Sequence, residues 1–392
     1  SIHPFTGKKQ MPDDPYLNTL LMSALAVIFI IITSLGLGAL ARFIAKLSGS
    51  SKLKQADAFT GYLFASPWIV GFIIFVLIPL FTSLYWSFTD YRIPNHPEWL
   101  GFENYAKLLL SDSGFRASLV NTLFLTVIGL PLQVGVALLL AVLLNQKMRG
   151  ERIFRMSFYL PVVLGFNAAV LLCWRLMLAA GNGIINQVIR ALSAKSILFS
   201  YLNRAIIYVV EVVNAFFLGI TNQNFTLFNK VLDAGFPAAN RVPMWVQTPL
   251  WSKMSVIILI VWGCGTMMLI FLAGLNNIPK ELHEAAEVDG AGGWARFWRI
   301  SFPLITPYIF YNLIVGMIAA LQIFEPIYVL YRDSATLAPS AFSMVYYLWM
   351  ATFRFNEIGY GSAISWLILI IILIVTLFQF RAQNRWVNYE LY

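Results

Sequence analysis

Charge is what this chain has least of: Asp, Glu, Lys and Arg make up 11% of its 392 residues, against about a quarter in soluble domains. With 59% of residues hydrophobic, an ordinary water-soluble fold is excluded. Cysteine is nearly absent. Cys173 and Cys264 both sit inside apolar runs, which excludes a disulfide framework or a thiolate metal site and leaves them as packing residues. His3, His96 and His283 are scattered, with no H-E-x-x-H or other paired metal spacing. No G-x4-G-K-[ST] phosphate loop occurs, so the chain does not cradle ATP in the usual way, and no catalytic constellation is visible. The net charge of +9 does not point to nucleic acid, because the basic residues lie in short segments beside apolar runs and not on one face.

What is there is length in lipid-compatible runs. Seven apolar stretches read as spanning helices, since backbone in hydrocarbon must satisfy its own hydrogen bonds. They are Leu17–Ile44, Gly61–Phe88, Leu119–Leu144, Phe158–Leu178, Met254–Leu275, Pro303–Tyr331 and Ser362–Phe380. The first lacks a small-residue cleavage site and is followed by a second span, so it reads as an added helix and not as a leader. The expected organisation is an all-α membrane protein: an N-terminal segment 1–58, a core in two parts at 59–182 and 254–392, and an insertion at 183–253.

Lys and Arg near span ends set the orientation. Arg42, Lys46, Lys52 and Lys54 follow the first run, and Lys147, Arg149, Arg152 and Arg155 follow the third, which places both segments in the cytoplasm. Alternation then puts the segment around Glu284 and the tail with Arg381 and Arg385 on the same side. The segments 90–116 and 332–357 fall outside. Residues 182–253 also fall outside, although Arg190, Lys195, Arg204, Lys230, Arg241 and Lys253 outnumber Glu211 and Asp233. Charge counting is weak for so long a loop. Within it Ala205–Ile220 is apolar but short for a span and contains Glu211. The expectation is a helix in an external cap or one lying on the outer face.

The most informative polar stretch is residues 278–303, IPKELHEAAEVDGAGGWARFWRISFP. Pro279 followed by acids in the first turns predicts a short helix, and Asp289-Gly290-Ala291-Gly292-Gly293 predicts its break. Trp294–Arg299 can resume as an amphipathic helix along the membrane surface. The residues alone leave open an ordinary cytoplasmic loop.

Glu284-Ala285-Ala286, Gly290 six positions after Glu284, Ile300 and Pro303 resemble the EAA loop of type I ABC importer permeases, EAA-x3-G-x9-I-x-L-P, with Phe302 in place of Leu. GYLFASPWIVGFIIFVLIPLFTSLYWSFTDY (61–91), GFENYAKLL (101–109), 121–146 and 150–161 are similar to the maltose- and glycerol-phosphate-type carbohydrate permeases. The resemblance implies a six-helix core in a bacterial inner membrane. It implies that residues 281–292, with Glu284, Ala285, Ala286, Asp289 and Gly290, dock in a groove of an ATP-hydrolysing partner, Glu284 meeting a basic residue there. The implied partners are a second related permease, two ATP-binding subunits that hold ATP and Mg, and an external solute-binding protein. Leu47-Ser48-Gly49-Ser50-Ser51 shares its first three residues with the ABC signature LSGGQ but has no ATPase domain around it and reads as a polar linker.

Polar residues inside spans are costly and usually face a wet path. Glu325 and Gln322, three apart on one helix face, are the strongest case. The alternative is that Glu325 ends the buried part of the helix near water. The resemblance places the sugar path at Gly263, Thr266, Gly316, Ala319, Ala320 and Ile323. Trp262 either stacks on a sugar or anchors at the interface. The basic excess outside either serves an acidic partner surface or an anionic sugar, or contacts lipid headgroups. The leading expectation is a permease for sugars or oligosaccharides. The alternatives are a permease for amino acids or peptides and a channel or secondary transporter without ATPase partners.

Overall fold

The computed structural model describes residues 15–146, 151–165, 167–179, 182–222, 229–230, 242–243, 245, 249–331 and 342–388. Lys147, Arg149, Asp233, Arg241 and the start of the segment 332–357 lie outside the described residues. The chain divides into two compact units, Ser1–Tyr85 and Trp86–Tyr392.

In the first unit, α1 (Pro15–Leu47) and α2 (Lys52–Phe72) are joined by a turn in which Gly49 takes φ +72° and the Ser51 hydroxyl accepts from the Lys54 N–H. The Leu47–Ser51 segment is therefore a connection between helices. Close packing at Gly38, where an added Cβ would come 3.0 Å from the Phe59 carbonyl oxygen, brings α1 against α2. The added first helix thus packs with the second run in one compact unit. Both helices expose their apolar side chains, as lipid-facing helices do. A π-helical stretch, Ile73–Leu77, carries α2 into α3 (Ile78–Ser87).

In the second unit, a two-stranded hairpin, β1 (Thr89–Asp90) and β2 (Glu98–Trp99), precedes α4 (Glu103–Ala106). Then come α5 (Ser113–Phe124), α6 (Leu130–Asn145), α7 (Glu151–Leu164), α8 (Ala168–Met177), α9 (Ile184–Lys195) and α10 (Ile197–Asn222). The rest comprises α11 (Pro249–Trp262), α12 (Gly265–Asn276), α13 (Lys280–Val288), α14 (Gly293–Arg296), α15 (Thr306–Leu321), α16 (Glu325–Tyr331), α17 (Met344–Trp349) and α18 (Ile358–Gln383).

Among the described residues, all seven apolar runs are helical apart from short breaks. Among the described residues, five helices are long and apolar enough to span alone: Met22–Leu47, Lys52–Ser87, Ser113–Asn145, Thr306–Tyr331 and Ile358–Gln383. Two more runs are bent pairs. Trp251–Trp262 and Gly265–Asn276 meet at 42°, whereas Arg152–Leu164 and Ala168–Met177 meet at 110°. The straight span expected over Phe158–Leu178 is therefore corrected to two helices. Gly165 at φ +64° turns the chain, and Asn167 caps α8 by accepting from the Val170 N–H while donating to the Leu164 carbonyl.

The hairpin is tied to the head of α18: Arg92 pairs with Glu357 at 3.2 Å, and the Gly359 N–H donates to the Tyr91 carbonyl. Asp112 holds the same region together. One of its carboxylate oxygens caps α5 through the Phe115 N–H at 2.9 Å, and the other accepts from Tyr347 on α17 at 2.8 Å and from Tyr360 on α18. Burial opposes the charge, but hydrogen bonds from Tyr360, Phe115, Tyr347 and Gly114 outweigh it and hold the carboxyl below its ordinary value. A depressed pKa in the folded state stabilises above the unfolded value and is lost as pH falls through the folded value, here below about pH 4. Asp112→Asn should cost about 1.5–3 kcal/mol at neutral pH. The gap in thermal unfolding between wild type and variant should narrow as pH falls below the ordinary carboxylate value; a gap independent of pH would refute the ionised cap.

The insertion is stitched to itself and, through Trp245 and Ser252, to the core. Trp245 Nε1 donates to Asn186 Oδ1 on α9 at 2.9 Å, Asn186 Nδ2 donates to the Pro243 carbonyl at 2.9 Å, and Ser255 Oγ donates to the Trp245 carbonyl at 3.3 Å. On the adjoining α11, Ser255 Oγ lies 2.5 Å from the Tyr331 hydroxyl, which also donates to the Ser252 carbonyl. Lys253 needs correction. It counts among the basic residues of the segment 182–253, yet α11 begins before it and buries it to 2% exposure, with Nζ 4.9 Å from the centre of the Phe124 ring.

Candidate functional site

Two places combine exposed polar chemistry with defined geometry. The first is α13. Nine residues long, it buries none of its side chains, so it projects from the packed spans. Glu281 and Glu287 flank the exposed Glu284, and Leu282 and Val288 (89% exposed) leave apolar surface uncovered. Its end is a Schellman motif: the Ala291 N–H donates to the Ala286 carbonyl at 2.8 Å and the Gly290 N–H to the Glu287 carbonyl at 3.0 Å, around Gly290 at φ +80°. Asp289 is the C-cap residue. The residue six positions after Glu284 is thus glycine because the turn needs a left-handed backbone. Arg296 on α14 pairs with Glu287 at 2.7 Å and braces the turn. Trp294, Phe297, Trp298 and Phe302 then pack ring against ring.

The second place is a cavity of about 210 Å³ between spans, lined by Gln133, Ile260, Gly316, Ala319, Ala320, Gln322, Ile323, Phe324, Glu325 and Pro326. Six of the nine expected path residues meet here: Gly316, Ala319, Ala320, Gln322, Ile323 and Glu325. Trp262, Gly263 and Thr266 do not line it. Trp262 packs edge-on against Trp174 at 5.5 Å, Gly263 sits at the bend between α11 and α12, and Thr266 is exposed on α12.

Gln322 and Glu325 do not share one helix face as expected. The helix stops at Leu321 and restarts at Glu325, so a break in the span brings both side chains to the cavity. The freed backbone is answered locally: Ser343 Oγ donates to the Ile323 carbonyl at 2.6 Å. Such irregular backbone is tolerated at membrane depth where it lines a cavity. Gly316 allows the wall to close, because a Cβ there would meet Leu130 Cδ1 at 2.4 Å and Met267 Cε at 2.7 Å.

Gln133, Ile260, Phe324 and Pro326 were not expected from sequence. Gln133 carried a usable signal, a carboxamide within the apolar stretch LPLQVGV. Phe324 gave none, being one of many aromatics. It stacks on Tyr328 at 5.3 Å, which meets Trp349 at 4.9 Å, so an aromatic group backs the cavity. Carboxamides, one carboxylate and an aromatic wall suit a ligand with both apolar and hydrogen-bonding faces.

A larger hollow of about 540 Å³ lies beside the hairpin, lined by Asp90, Arg92, Glu103, Asn104 and Lys107 among others. It is open and lies outside the spans, so the smaller cavity is the better candidate for a passage.

Comparisons with known proteins give the family and the fold. Residues 106–388 match the family described as binding-protein-dependent transport system inner membrane component. The chain is 34% identical over 340 residues to the probable ABC transporter permease protein YesP of Bacillus subtilis (strain 168), covering 87% of this chain and 95% of that one. It is 29% identical over 342 residues to the arabinooligosaccharides transport system permease protein AraP of the same organism, covering 87% and 93%. The solved bacterial alginate ABC transporter in complex with alginate pentasaccharide-bound periplasmic protein shares the fold, with a TM-score of 0.62 at 21% identity over 83% of this chain and 94% of that one. With seven helical apolar runs, a projecting EAA helix and a family match over most of its length, this chain belongs to the binding-protein-dependent transport system inner membrane components.

Proposed function

We propose that this chain is the transmembrane permease subunit of a binding-protein-dependent ABC importer that moves sugars or oligosaccharides across a bacterial inner membrane by alternating access. The observation that carries the reading is the projecting α13, whose exposed Glu284 and Gly290-closed turn suit docking into an ATP-binding partner. ATP and Mg belong to two such partners. ATP-driven closure of the partners would move α13 and, through the span that begins at Thr306, the broken helix at the cavity. Gln133, Gln322 and Glu325 would take sugar hydroxyls and Phe324 the apolar face of the ring. Gly263, Thr266 and Trp262 would line the path in another state. A second related permease faces the exposed side of the cavity, and a solute-binding protein delivers from outside.

The names of the relatives favour carbohydrate, since AraP carries arabinooligosaccharides in its name and the solved neighbour is an alginate ABC transporter in complex with an alginate pentasaccharide-bound periplasmic protein. Uptake of labelled oligosaccharides and of labelled amino acids and peptides by the reconstituted transporter tests this. Sugar uptake is expected; uptake of amino acids or peptides alone would overturn it.

A further inference from the structure

Helix α10 is built the wrong way round for water. Among the described residues its buried stripe runs Asn203, Ile207, Glu211, Ala215 and Gly219, so two polar side chains lie on its enclosed face. The opposite stripe, Leu198, Leu202, Ile206, Val209 and Phe216, is wholly apolar and between 44% and 79% exposed. These positions recur at helical spacing on one face. A helix at a protein's aqueous surface turns charge outward and apolar side chains inward. Here the reverse holds, and that is the polarity of a helix whose surroundings are hydrocarbon.

What α10 packs on says how deep it lies. Its buried face meets α11 and α5, and Ile207 joins the core cluster containing Phe124, Trp251 and Ile257. By the orientation argument, α5 and α11 are the outer portions of their spans. The helix starts near headgroup level: Arg190 and Lys195 precede it on α9, and the Arg204 guanidinium lies 5.6 Å from the centre of the Tyr201 ring. Such residues anchor at membrane interfaces. We infer that α10 is embedded in the outer half of the bilayer, its Leu198–Phe216 stripe against lipid acyl chains and its Asn203–Glu211 stripe sealed against the outer ends of two spans. The segment is then a lipid-facing buttress of the permease core and not a cap standing in water. Arg190, Lys195 and Arg204 then meet headgroups, which leaves these cations no part in drawing an acidic partner or anionic sugar.

Spin labels placed one at a time at residues 198, 202, 206 and 209, in a chain with Cys173→Ala and Cys264→Ala, test the assignment in the assembled transporter. Vesicles of phosphatidylcholine and phosphatidylglycerol serve as the membrane. Dissolved oxygen, which concentrates among acyl chains, should relax all four labels more than a water-soluble nickel chelate does, while a label at Ala215 should meet neither. Nickel dominating at the four sites would place the helix in water. Protection from both reagents there would mean that a protein, such as the second permease, covers the stripe. Either result overturns the inference. Depth is read separately with Lys230→Cys and a membrane-impermeant maleimide. Reaction from outside is expected, and reaction only from the cytoplasmic side would show that α10 crosses the membrane, which also overturns its placement in the outer half.

Discussion

Glu284→Lys abolishes substrate-stimulated ATP hydrolysis by the assembled transporter, Gly290→Pro does the same, and both chains still insert into the membrane. This is the largest effect expected, because α13 buries nothing against the rest of the chain and its disruption leaves the spans untouched. Proline at 290 removes the N–H that donates to the Glu287 carbonyl and forces φ from +80° to about −65°. The end of α13 then loses its Schellman turn at a cost of about 2–3 kcal/mol. Gly290→Ala keeps the N–H and pays only the left-handed backbone, about 1 kcal/mol, so its activity should fall between wild type and the proline variant. Reversing charge at Glu284 leaves the helix intact and would oppose the basic groove proposed for the ATP-binding partner. ATPase assays with and without substrate and binding protein check both variants. Normal stimulation in both would remove α13 from coupling.

Ala319→Trp lowers substrate uptake at least about tenfold, about 1.4 kcal/mol in the limiting step, while the chain folds and assembles. Ala319 lines the cavity and is exposed, so the indole can enter the 210 Å³ space without meeting the core. Gly316 on the same wall is a poorer probe, since even a methyl there meets Leu130 and Met267 and reports packing instead of passage. Uptake by vesicles, with assembly checked by copurification of the ATPase subunits, measures the effect. Unimpaired uptake would place the path elsewhere.

How much of this was legible in the sequence follows from where the physics is local. Spanning helices announce themselves by length and apolarity, so all seven runs were found, and Glu284 to Gly290 could be placed because a helix end with a left-handed glycine has a short-range pattern. Bends were less readable. Pro161, Gly165 and Asn167 were present in the fourth run, but only packing decides whether such residues kink a span or turn it by 110°. The cavity mixed both cases. Gln322 and Glu325 stood out as polar groups within an apolar run, yet the break that joins them depends on Ser343, twenty residues downstream. Gln133 comes from a different span and needed tertiary structure to join them. Lys253 looked like a loop cation because the start of α11 carries no strong signal, and its burial against Phe124 depends on a contact 129 positions distant.

The central claim is that this chain moves solute only when ATP-binding partners drive it and a solute-binding protein delivers the load. Proteoliposomes holding the full complex, with ATP and Mg trapped on the side that carries α13 and labelled oligosaccharide outside, test that directly. The account predicts uptake that requires both the trapped ATP and the binding protein and that disappears with Glu284→Lys. Solute flux of equal rate without ATP or without the binding protein would contradict it and mark the chain as a channel or secondary transporter.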